Sequence, residues 1–139
     1  MDPGQNPQYT AWVAPSCAAN TAATAFTKTA VGLTFCFLWT WEVRIPPGHA
    51  GVTGIALLDS NTFILPFEGT TAAWLIGDDD LLRYPYELEL GANVQLATYN
   101  TSTLYTHGWQ CRFVYTPMSA LDNDQAVIVT PNVADYLAG

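Results

Sequence analysis

An all-β chain, an antiparallel β-sandwich or jelly roll of about seven or eight strands with extended N- and C-terminal arms, is what this sequence predicts. Three observations predict it. Residues 31–45, VGLTFCFLWTWEVRI, place Val31, Leu33, Phe35, Phe37, Trp39, Trp41, Val43 and Ile45 at every second position. That is the period of a pleated strand and not of a helix. Residues 103–116, TLYTHGWQCRFVYT, repeat the pattern near the far end of the core with Tyr105, His107, Trp109, Cys111, Phe113 and Tyr115. Between them, short apolar runs are separated by clusters of Gly, Pro, Asp, Asn and Ser, too short for the crossovers that parallel strands require.

The elements follow in order. Residues 1–30 carry three prolines before position 16, the isolated aromatics Tyr9 and Trp12, and an Ala/Thr-rich tract. They read as an arm whose apolar anchors Tyr9, Trp12 and Val13 should lie on the domain's own surface or on a neighbour. At about 3.3 Å per residue, residues 31–45 would extend roughly 50 Å, longer than an ordinary strand, so a bulge or bend, or two strands in series, is expected. The turn PPGHAG, residues 46–51, ends that ladder, since proline donates no backbone hydrogen bond. Strands are expected at 51–58, 62–67, 71–76, 86–90 and 94–99, with turns at 59–61, 68–70 and 100–102 and a longer acidic loop from Gly77 to about Pro85. The core thus spans residues 31–116, its two long aromatic strands being neighbours in one sheet. Residues 117–139 form a C-terminal arm or edge strand, in which Val127, Ile128, Tyr136 and Leu137 are the apolar contact residues.

Composition narrows the function classes. With four basic against twelve acidic residues the net charge is −8, and such a surface repels a phosphate backbone, so nucleic acid is not expected as the partner. The N-terminus lacks the basic and apolar regions of a signal peptide, and no apolar stretch is long enough to span a bilayer, so export by a signal peptide and a membrane partner are not expected either. Cys17, Cys36 and Cys111 are odd in number and show no CxxC spacing. They read as free thiols, buried in the case of Cys36 and Cys111.

Little in the chain points to catalysis, and no cofactor or metal is expected. None of the GxSxG, HExxH, P-loop and GxGxxG patterns occurs. Glu87 and Glu89 share one face of a strand at roughly 7 Å, the spacing of any wet strand face; a glycosidase would need a further carboxylate across a cleft. Asp78, Asp79 and Asp80 could chelate calcium, but without EF-hand spacing they read as a solvated loop tip. His107 reads as a hydrogen-bonded core or interface residue, and His49 as a turn residue whose ring caps a backbone group. The Trp and Tyr rings could serve as platforms for sugars, although those of the long strands fall on the row that the core needs.

The segments WEVRIPPGHAGVTGIALL (41–58), FILPF (63–67), WLIGDDD (74–80) and VQLATYN (94–100) together resemble a pattern in small virion proteins of tailed bacteriophages, over roughly residues 33–116. The matching residues are those of turns and core, and the charge-poor N-terminal arm departs from the pattern. The resemblance implies a non-enzymatic structural protein of the virion, assembled in the host cytoplasm. Its role would be that of a capsid decoration (cement) or minor capsid protein, gripping the head lattice through its arms and stabilising it. Its partners would be the major capsid protein or other virion proteins and copies of itself, a trimer being one form. The alternative is a phage tail or adhesion module that binds host-surface carbohydrate, with Trp or Tyr rings exposed along a groove near the acidic loop.

Overall fold

The computed structural model describes residues 7–69, 71–85 and 87–120, and it is all-β. The strands are β1 (Tyr9–Val13), β2 (Ser16–Cys17), β3 (Thr27–Ala30), β4 (Cys36–Ile45), β5 (Thr53–Asp59), β6 (Thr62–Leu65), β7 (Asp80–Tyr84), β8 (Leu88–Leu90), β9 (Val94–Asn100), β10 (His107–Gly108) and β11 (Gln110–Pro117). One sheet runs β1-β11-β4-β7, with β8 pairing the start of β4; the other runs β3-β9-β5-β6, and β10 pairs with β2. Every pairing is antiparallel. Leu38, Trp41, Val43, Ile45, Cys111 and Phe113 from the first sheet form one buried cluster with Ile55, Leu57, Val94 and Leu96 from the second. Burial between two facing sheets is what makes this a sandwich.

The two long strands are neighbours, as their composition predicts: β11 pairs with β4 from Gln110↔Arg44 to Pro117↔Cys36. The expected irregularity in the first of them takes two forms. Gly32 (φ 83°) and Phe35 (φ 47°) adopt left-handed backbone, so the ladder begins only at Cys36 and Phe35 is left exposed. Further along, the register slips between Val114 and Tyr115, which face Thr40 and Leu38; Trp39 is the extra residue of a bulge. Because side chains alternate, one extra residue exchanges the faces. Trp41, Val43 and Ile45 point into the core above the bulge, Cys36 and Leu38 below it. Phe37 and Trp39 leave the apolar row for the outer face, where their rings pack against each other at 4.4 Å.

Several other expectations are met. The β5–β6 hairpin turns through Ser60 (φ 52°) and Asn61 (φ 68°), the pair of positive angles a type I′ turn requires. The strand expected at 86–90 is realised as β8 over Leu88–Leu90, and the one expected at 94–99 as β9. Other segments differ. Residues 71–76 contribute a single bridge, Leu75 to Ile55, because β6 already occupies the other end of that edge of β5. Its Trp74 packs edge-on against Phe26, Phe63 and Tyr99, covering the outward residues Ala56 and Leu58 of β5. The acidic loop ends early: DLLRY is β7, with Leu82 and Tyr84 against the core. Residues 103–106 are a loop, its Leu104 and Tyr105 exposed, held by the buried Asn100 amide, which donates to the carbonyls of Cys17 (3.0 Å) and Tyr105 (2.8 Å).

Residues 9–30, read as an arm, give each sheet an edge strand: β1 lies along β11, and β3 along β9. Cys17 is buried in the shared core. The arm anchors thus sit on the domain's own sheet, one of the two placements expected for them.

Candidate functional site

The outer face of the larger sheet, at its β1 edge, carries the most developed arrangement of polar groups. The register sets Trp12 of β1 beside Arg112 of β11, Arg112 beside Glu42 of β4, and Glu42 beside Arg83 of β7. These four residues form a row across four strands. Arg112 Nε donates to Glu42 Oε1 at 2.8 Å, and Arg83 Nε donates to Oε2 at 2.6 Å. The Glu42 side chain is 11% exposed, against 29% for Arg112 and 62% for Arg83. The Trp12 ring lies 5.9 Å from the Arg112 guanidinium carbon, and Trp12 is itself 71% exposed. Each charge sits on its strand's outward positions, opposite the row Ala11, Phe113, Trp41 and Tyr84 that faces the core.

Electrostatics follow from this geometry. The hydrogen bond from Arg112 is the largest influence on Glu42; burial opposes it, the Arg83 bond adds to it, and the net effect is a carboxyl held below its ordinary range. A depressed acid contributes stability that is complete above its unfolded value, near 4.3, and is lost as pH falls through the lower folded value. We expect Glu42→Gln to cost about 1–3 kcal/mol at pH 7. Below about pH 4 its stability should approach that of the parent, as measured by urea unfolding across pH.

The candidate contact residues separate. Trp12 points outward, whereas Val13 packs against the core and Tyr9, 47% exposed, lies against Tyr115 with ring centroids at 5.9 Å. Val127, Ile128, Tyr136 and Leu137 lie outside the described residues. A cleft of about 350 Å³ opens beside Trp12, lined by Val13, Ala14, Gln110 and Cys111. Arg83, Arg112 and Glu42 were not singled out from sequence. Their signal was the even-numbered row of residues 31–45, which becomes charged at Glu42 and Arg44 just where an outer face would.

A second polar cluster sits at the PPGHAG turn. His49 is buried, with Nδ1 2.6 Å from Thr53 Oγ1 and Nε2 2.9 Å from the carbonyl of Gly108. A carbonyl can only accept, so Nε2 carries the proton and Nδ1 accepts from the Thr53 hydroxyl. The ring caps a backbone group, as expected of it, and both its nitrogens are engaged. It also lines a cleft of about 400 Å³ with His107, Pro47, Trp109 and Gln110.

The acidic loop braces this turn: Asp78 Oδ1 accepts from Gly48 N at 2.8 Å, and Asp79 Oδ1 from Arg44 Nη2 at 2.8 Å. Amide donors led by Ala50 hold the Asp78 carboxyl below its ordinary range. Among the described residues no group of three or more His, Cys, Asp or Glu side chains is placed to hold a metal ion. Cys36 and Cys111 are buried as expected, and burial pushes their thiols up to about 11 and about 12, far from the thiolate a nucleophile needs. Glu87 and Glu89 are exposed on and beside β8. Among the described residues no helix is long and apolar enough to cross a membrane.

No protein-family model matches the chain, nor does any curated protein. Its fold is similar to that of a chain in the cyanophage Pam1 capsid asymmetric unit, with a TM-score of 0.55 and 11% identity over 84% of this chain and 91% of that one. A chain from Bacillus endospore appendages, described as a novel family of disulfide-linked pili, superposes with a TM-score of 0.45 and 12% identity over 84% and 95% of the two chains, a likeness too low to carry an argument. The capsid likeness shows a shared fold.

Proposed function

We propose that this chain is a structural protein of a bacteriophage virion, a head decoration or minor capsid component that attaches to the lattice and stabilises it without catalysing a reaction. The observation that carries the reading is the fold shared with a cyanophage capsid chain over most of both chains. The placement of charge supports it. Polar groups are spent on bracing turns and on one fixed row across a sheet, an arrangement suited to rigid contact. Trp12, exposed on the edge strand and stacked beside an arginine, has the character of an interface anchor. Lattice attachment by many such modest contacts would gain strength from avidity.

The tryptophan rings fit this reading better than a carbohydrate module, although Tyr9 and Tyr105 are exposed. Trp39, Trp41 and Trp109 are buried and Trp74 is half-buried, which leaves Trp12 as the exposed one of the five. The test is co-sedimentation of the purified full-length chain with phage heads assembled without it. Saturable binding, with heads that then resist heating better, is the expected result. Absence of binding together with retention on a host-surface glycan array would replace this reading with the adhesion alternative.

A further inference from the structure

Three of the four basic residues of this chain, Arg44, Arg83 and Arg112, project from the outer face of the larger sheet. With Glu42 and Asp79, which they contact, they form a cluster with one positive charge in excess on a chain of net charge −8. Any two copies therefore repel over most of their surfaces, and this cluster is where a copy can be approached by acid. The approach is prepared on both sides of the charge. Arg112 is fixed by Glu42 beneath it and by the Trp12 ring beside it, so less side-chain entropy remains to be lost on binding. The cleft beside Trp12 gives an entering side chain an apolar wall.

The same sheet offers the complement. Glu89, on the edge strand β8 opposite Phe37, and Glu87 just before it are both exposed. Two residues apart on an extended chain, their side chains share one side at about 7 Å. Arg83 and Arg112 flank Glu42 from the two neighbouring strands, about 10 Å apart, within the reach of two long side chains closing on two carboxylates. Within one copy Glu89 is kept from the arginines, for it lies in the Phe37 row and they lie in the Glu42 row, about 16 Å away along β4.

We propose that copies of this chain associate head to tail, the Glu87/Glu89 edge of one docking on the Trp12, Arg112 and Arg83 row of the next. Such a contact is heterologous, and it grows into a ring or an open row according to the rotation it imposes. The proposal rests on the structural-protein reading and supplies the self-contact that a lattice component uses.

The test is sedimentation velocity of the full-length protein at low and high salt, with two variants whose changes lie on exposed side chains. Trp12→Ala cuts the aromatic side chain from the docking row and keeps the carboxylate edge; the double variant Glu87→Lys, Glu89→Lys reverses the charge of the edge and keeps the row. Wild type should associate in low salt and dissociate in high salt, and each variant alone should associate about tenfold or more weakly. An equimolar mixture of the two variants should recover a dimer that grows no further, because each mixed pair has one intact contact. Thermal unfolding confirms that the variants remain folded. A wild type that stays monomeric at about 200 µM, far above the dissociation constants of ordinary specific contacts, overturns the proposal. So do variants that associate like wild type, or a mixture that recovers nothing. Protein that binds heads without this self-association defeats the inference alone; self-association without head binding defeats the virion reading alone.

Discussion

Trp41→Ala is expected to cost about 3–5 kcal/mol of folding stability, the range for truncating a large buried aromatic, and to show as a marked fall in the urea midpoint. Trp41 has no exposed surface. It lies at the centre of the inward row Ala11, Phe113, Trp41 and Tyr84, which crosses four of the five strands of the larger sheet at one level. Its ring stacks on Tyr84 at 5.8 Å and on Phe113 at 6.4 Å, with interplanar angles of 29° and 16°. Removing it leaves a cavity bounded by rings that β11 and β7 hold from opposite sides, where collapse is least able to fill the space. Trp41→Phe keeps a ring in the row and should cost less than half as much. The same chemistry at Trp12, 71% exposed, should change stability by under about 0.5 kcal/mol, so the two tryptophans separate a core role from a surface one.

Acidification is expected to weaken the fold through His49, before the carboxylates titrate. Burial is the chief cause holding its imidazole below its ordinary value; the Gly108 carbonyl opposes that, the His107 ring at 4.6 Å adds to it, and Asp78 opposes it. A base whose folded value is depressed takes up its proton more readily in the unfolded chain. Its contribution is therefore full above about pH 6.5 and is lost as pH falls through the folded value, by at most about 1.4 kcal/mol per pH unit. Structurally, the added proton goes to Nδ1, where the Thr53 hydroxyl now donates, and that bond must turn around. The ring joins the PPGHAG turn to β5 through Thr53 and to β10 through Gly108, so loosening should start where the two sheets are linked. Urea midpoints at pH 8 and pH 5 should differ for wild type, and the difference should shrink in His49→Gln, even though that variant is less stable at both. An unchanged pH dependence in the variant would assign the effect elsewhere.

What the sequence disclosed and what it hid have one physical origin. Alternation is visible when one face is buried and the other wetter, and so β11, with Cys111 and Phe113 inward, was legible; β9, buried on both faces, was marked by the turns at its two ends. β5 is buried on both faces, yet Gly51 and Asp59 bracket it clearly enough. The bulge at Trp39 was foreseen as a class of irregularity but not located, because apolar residues stand on both sides of it and the exchange of faces leaves no change in pattern. β7 was hidden by its first residue, Asp80, which belongs to an acidic run that reads as loop. The strands before residue 31 are short, of two to five residues, and pairing there comes from the neighbouring strand more than from any preference of their own.

The candidate site was half legible for a related reason. Trp12 stood out because an isolated aromatic in a polar segment needs an explanation. The row it belongs to is assembled from four strands scattered between residues 12 and 112, and only register brings them together. Single charges such as Arg83 and Arg112 are ordinary in isolation. Their meaning comes from Glu42, a buried carboxylate that must be paired, and burial at that position becomes visible only once the sheet is built.

The most direct measurement of the virion reading is a cryo-EM reconstruction of phage heads assembled with and without this protein. Additional density is expected on the head lattice, at symmetric positions, into which the two-sheet sandwich fits as a rigid body with its β1 edge at a contact. Identical maps from heads that were incubated with folded, full-length protein at saturating concentration would contradict it.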